Sequence, residues 1–129
     1  MTGGMPHVPI SWGELIDKIT ILQIKTERLA ADTARANAAK ELALLSAIAA
    51  PVLAGTALGL AERLKAVNES LWDIEDRIRD RERTGAFDAE FVALARSVYR
   101  TNDARGALKR ELNLLLDSEL IEEKSYTPY

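Results

Sequence analysis

The sequence predicts an all-α protein: an antiparallel bundle of four to five helices built on a long helical hairpin. Three observations carry the prediction. Between Leu60 and Thr84 the apolar residues Leu60, Leu64, Val67, Leu71, Ile74 and Ile78 fall alternately four and three apart, the stripe of a helix packed lengthwise against others. Aromatic residues are only 5% of the chain while alanine and leucine abound, which favours helix over strand. Capping residues bracket the apolar runs. With 129 residues, 47% hydrophobic and 29% charged, the chain suits one globular domain over residues 1–129.

Taken in order, residues 1–10 read as extended, since Gly3, Gly4, Pro6 and Pro9 oppose helix. Ser11 and Glu14 fit a capping box, and Ile10 and Leu15 a hydrophobic staple, so helix 1 runs from Ser11 to about Ala31. One face carries Trp12, Leu15, Ile16, Ile19, Leu22 and Leu29, while Ile21 and Ile24 lie opposite. A helix apolar on two sides is central to a bundle or forms an oligomer contact. Asp32-Thr33 starts helix 2, to Ala50, with Leu42, Leu45, Ile48 and Ala49 inward. Pro51 and Gly55 mark a loop, Gly55 or Thr56 opens helix 3, and Gly85 closes it. The short Thr84–Asp88 turn makes helices 3 and 4 neighbours, with helix 1 in their groove.

Asp88 caps helix 4, whose first half packs through Phe91, Ala95, Val98 and Tyr99. That face then continues as Asn102, Arg105, Gly106, Lys109 and Asn113, while Leu108, Leu112 and Leu115 define a rotated apolar face. Either the helix breaks near Thr101-Asn102-Asp103 into a fifth helix, or it is continuous and ends in a polar layer. Residues 117–129 read as an extended tail whose tyrosines pack back on the bundle.

Several chemistries are excluded. No cysteine means no disulfide, thiolate metal site or cysteine nucleophile. A single histidine, His7, removes most zinc and Ser-His-Asp arrangements, and no metal or cofactor site is expected. Net charge is −3 with interspersed signs, against a nucleic-acid partner. The longest apolar stretch, 42–60, is broken by Ser46, Pro51, Gly55, Thr56 and Gly59, so no membrane span is expected. With no targeting signal visible, the chain reads as cytoplasmic. P-loop, GxGxxG, GxSxG and Glu-x-x-His patterns are absent.

Three polar clusters are candidate sites. Asn68, Trp72, Glu75 and Arg79 form a row beside the helix 3 stripe: Trp72 as an apolar wall, Glu75 as acid or base, Arg79 as an anion clamp. The plain alternative is an edge-of-core tryptophan beside a surface pair worth about 0.3–0.5 kcal/mol. Arg105 and Lys109, one turn apart and flanked by Asn102 and Asn113, suit a phosphate or carboxylate, or else salt bridges to Glu122 or Glu123. Asp17, Lys25 and Arg28 sit beside apolar surface on helix 1, as a buried ionic network or the floor of a site.

The segments ISWGELIDKITILQIKTERL (10–29), VNESLWDIEDRIRDRE (67–82), FDAEFVALARSVYRTNDARGALKRELNLL (87–115) and SELIEEKSY (118–126) are together specific. They resemble a bacterial family of small proteins known only as a domain of unknown function. The resemblance implies a stand-alone domain, sometimes joined to or found near glycan-building proteins, and supplies no catalytic residue. It marks as characteristic the polar positions Asp17, Lys18, Lys25, Asn68, Trp72, Glu75, Asp76, Arg96, Tyr99, Asn102, Asp103, Lys109, Asn113, Glu123, Lys124 and Tyr126. Helix 1 is also similar, more distantly, to the all-helical chorismate mutases, without their further clamping cations and late glutamine.

Two functions are expected from these features. The favoured one is a binding or assembly domain in bacterial glycan or polysaccharide metabolism, with a glycan-biosynthesis protein as partner and a homodimer contact through helix 1. The other is a small enzyme or sensor for an anionic metabolite. In it Arg105, Lys109, Lys25 or Arg28 clamp charge, Trp72 forms a wall and Glu75 acts as acid or base. Convergence of Trp72, Glu75, Asn102 and Lys109 on one cavity is its structural test.

Overall fold

A computed structural model describes residues 3–129. Among them are four helices and no strand: α1 Trp12–Arg28, α2 Asp32–Ala49, α3 Gly55–Thr84 and α4 Ala89–Leu115. None is long and apolar enough to cross a membrane.

The caps work largely as the sequence implies. Ser11 Oγ accepts from the Glu14 amide at 3.1 Å, and Asp88 Oδ1 from the Phe91 amide at 3.0 Å. Gly85 closes α3 in the left-handed region at φ 68°, where a side chain would strain the backbone. Arg81 bridges to Asp88 and Glu90 across the turn, holding the hairpin shut. Helix 1 ends at Arg28, short of Ala31, because Leu29 is already extended (φ −66°, ψ 134°).

Two antiparallel hairpins make the molecule, α1 with α2 and α3 with α4, and α1 also packs on both α3 and α4. The α2 helix touches α1 and neither of the others. This explains the two apolar sides of α1. Leu15 and Ile19 pack with Ala49, Leu42 and Leu45 of α2. Ile16 enters the main core with Ala57, Leu60, Ala61 and Leu64 of α3 and Leu108 and Leu112 of α4. On the opposite side Ile24 is 1% exposed and Ile21 half-buried.

Two details correct the sequence expectation, and a third decides between its alternatives. Ile48 points outward, 57% exposed, because α2 has only α1 to face. On α4 the inward residue of the first half is Leu94, whereas Ala95 and Tyr99 are exposed. Of the two courses open to helix 4 the continuous one holds: α4 runs through Asn102 without a break, and its polar second half meets α1 and the C-terminal segment.

Candidate functional site

The α1 helix runs antiparallel to α4 and parallel to α3, which sets polar side chains opposite one another at one-turn intervals. Gly13 faces Asn113, Glu14 faces Lys109, and Asp17 faces Arg105 and Asn68. Asp17, 1% exposed, is the centre of the ladder. Its carboxylate accepts from Arg105 Nε at 3.0 Å, from Arg105 Nη2, and from Asn68 Nδ2 at 2.9 Å. Asn68 also donates to Thr20 Oγ1 at 2.9 Å, and the Thr20 hydroxyl donates to the Asp17 carbonyl at 2.7 Å. Hydrogen bonding to Asp17 raises the Arg105 pKa against the lowering effect of burial.

One turn along, Lys109 Nζ lies 2.8 Å from both Glu14 and Glu122. Burial pulls the Lys109 pKa down, but hydrogen bonds to Glu122 and Glu14 outweigh it and leave the pKa raised. Lys109 in turn holds the Glu122 carboxyl below its ordinary value. Another turn on, Asn113 Oδ1 accepts from the Gly13 amide at 2.7 Å, and Ser118 Oγ accepts from the Trp12 amide at 3.2 Å. Every fully buried side-chain polar atom among the described residues has a partner. Satisfaction of this kind offsets desolvation; its main return is a fixed helix register rather than added stability.

Beside the ladder a cleft of about 430 Å³ opens between α1, α3 and α4. Ile21, Ile24 and Leu71 supply apolar lining, half-buried Trp72 one wall, and Asn68, Glu75, Asp76, Arg79, Asn102 and Arg105 the polar groups. Glu75 and Arg79 pair along α3. Two carboxylates thus face two cations, one of them already neutralised by Asp17. On the far side of α4 the segment after Ser118 runs back along the helix and walls two grooves, of about 330 and 950 Å³. Lys109 and Asn113 border the smaller, Tyr99 and Arg105 the larger, and Asn102 all three cavities.

The structure therefore brings together Asn68, Trp72, Glu75, Arg79, Asn102 and Arg105 in one cleft. It does not bring Lys109 or Asn113 there: they project toward the start of α1 and the C-terminal segment. Arg28 projects along another flank of α3, 2.6 Å from Asp73, and half-buried Lys25 lines none of these cavities. The four cations offered as alternative clamps therefore do not share one cavity: Asp17 holds Arg105, Glu14 holds Lys109, and Lys109 also makes the bridge to Glu122 that was the plain alternative to a ligand. Glu14 escaped notice because its place in the capping box explained it; its carboxylate instead reaches Lys109. Thr20 and Gly13 gave no signal beyond their positions on the α1 face. Among the described residues no cluster of three or more His, Asp or Glu side chains is arranged to hold a metal ion.

Fold and site together define a small all-α domain with a polar ladder through its core and a tryptophan-walled cleft beside it. The chain belongs to a family of unknown function, DUF6165, whose model matches residues 6–129. No curated protein and no solved structure matches it.

Proposed function

We propose that the chain is a non-catalytic binding domain that holds a small polyhydroxylated molecule of glycan metabolism in the Trp72 cleft. The observation that carries this is the cleft's composition. An aromatic wall and three aliphatic side chains stand beside two amides, two carboxylates and two arginines, so one face suits C–H surface and the rim suits hydroxyls. With Arg105 spent on Asp17, two carboxylates stand against the one cation Arg79, which favours a neutral ligand over an anion. The nearness to glycan-building proteins that the family resemblance implies agrees with that ligand class. A bacterial, cytoplasmic setting and a glycan-biosynthesis protein as partner belong to the same proposal. A homodimer contact through α1 has only half-buried Ile21 to draw on, at the same cleft, since Ile24 is 1% exposed.

An enzyme or sensor for an anionic metabolite draws less from the geometry. Glu75 is tied to Arg79, Arg105 to Asp17, and Lys109 lies elsewhere. A thermal-shift screen separates the two readings. Neutral and amino sugars are expected to raise the melting temperature and phosphorylated sugars and carboxylic acids to leave it unchanged, with Trp72→Ala abolishing the shift. Stabilisation by the anions alone would overturn the proposal and favour the second reading.

A further inference from the structure

We propose that the larger groove between α4 and the C-terminal segment is a second binding site, for a planar aromatic ring carrying a phosphate, as in a mononucleotide. It lies on the other side of Asn102 and Arg105, which border the Trp72 cleft as well. In a chain with 5% aromatic residues, all three tyrosines line this groove, with Val98 and Pro128. Its volume of about 950 Å³ lies within the usual range for small-molecule sites. Tyr99 and Tyr129 pack edge to face, centroids 4.9 Å apart, and the Tyr129 hydroxyl donates to Asp103 at 2.5 Å. That fixes one end. Tyr126 is 75% exposed on the lining, so a flat ring laid on it covers apolar surface now in water.

The charge around the groove differs from that of the cleft. Lys124 has Glu122 at 3.9 Å, and that carboxylate is already held by Lys109 at 2.8 Å. Arg105 spends two of its five N–H donors on Asp17 and keeps the rest. Arg96, through a hydrogen bond to the Tyr99 hydroxyl, and Arg100 draw the Tyr99 pKa down. Within the lining itself the charged groups are Arg105, Lys124 and Asp103. Asn102 adds an amide on the floor. Stacking surface, Lys124 and the remaining Arg105 N–H donors together match a ring with an attached anion better than either part alone.

Calorimetric titration of the full chain with uridine monophosphate, uridine and ribose 5-phosphate tests this. The nucleotide is expected to bind with a dissociation constant of about 1 mM or tighter, and each half about tenfold more weakly. Lys124→Gln and Tyr126→Ala, both at exposed positions, should each weaken the nucleotide about fivefold while circular dichroism shows an unchanged fold. Ribose 5-phosphate binding as tightly as the nucleotide would reduce the site to an anion patch and overturn the proposal. So would absence of nucleotide binding at about 5 mM, or unchanged affinity in both variants.

Discussion

Asp17 shows what a single buried carboxylate does in this fold. It sits among aliphatic residues of α1, where an unpaired charge would be untenable, and two helices answer it. Replacing it with alanine leaves Arg105 and Asn68 facing an apolar wall. The expected cost is about 3 kcal/mol, at the lower end for a broken buried pair because Arg105 is partly solvated. Urea unfolding measures it, and Asp17→Asn, which keeps an acceptor, should cost less. Gly13 has the opposite character, important for what it lacks. A Cβ there would drive into the Lys109 carbonyl oxygen, so the crossing of α1 over α4 depends on its absence. Of these two, Asp17 was legible in the sequence, because a charge at an apolar helix position requires an explanation. Gly13 was not, since a glycine in the first turn of a helix has many uses and its neighbour lies a hundred residues away.

At the scale of elements, α3 was the most legible and also the most instructive. Its stripe predicts a seam of even depth. Leu60 and Leu64 are buried, whereas Val67, Leu71, Ile74 and Ile78 are only half-buried. The periodicity is the same along the helix; what changes is the neighbour, because α1 ends where Arg28 meets Asp73 and leaves the tip of the hairpin as two helices alone. Periodicity reports which face packs, and cannot report how far the partner extends. The C-terminal segment is the reverse case. Nothing regular marks it, yet Lys109–Glu122 and Arg110–Glu123 bridges lay it along α4. Its hold should depend on pH. Lys109 depresses the Glu122 pKa, so this contribution is present above the unfolded value and lost as pH falls through the lower folded one. Below about pH 4 the segment should loosen, seen as narrowing and shifting of Tyr126 and Tyr129 resonances. Glu122→Gln should show the loosened spectrum already at neutral pH and lose that part of the acid transition.

Over the whole molecule, stability is expected to be uneven. The α1 helix is shared by both hairpins, while α2 has a single neighbour. Amides of α2 should therefore exchange with deuterium ahead of those of α1 and of the buried half of α3, a difference native-state exchange resolves directly. Uniform protection across the four helices would contradict the described packing. The cleft was partly legible at this scale. One helix's spacing put Asn68, Trp72, Glu75 and Arg79 in a row, but which cations joined them depended on the angular placement of α4. There the difference between Arg105 and Lys109, one turn apart, decides between the cleft and the far side.

The first turn of α1 carries one more consequence, for synthesis. Its Trp12 and Gly13 amides are taken up by Ser118 and Asn113, at sequence separations of 106 and 100. On a translating ribosome those acceptors are made only after the whole of α2, α3 and most of α4. The first of the four helices to be made is thus among the last to be locked, and a nascent chain stalled before residue 113 carries α1 with an unfinished end.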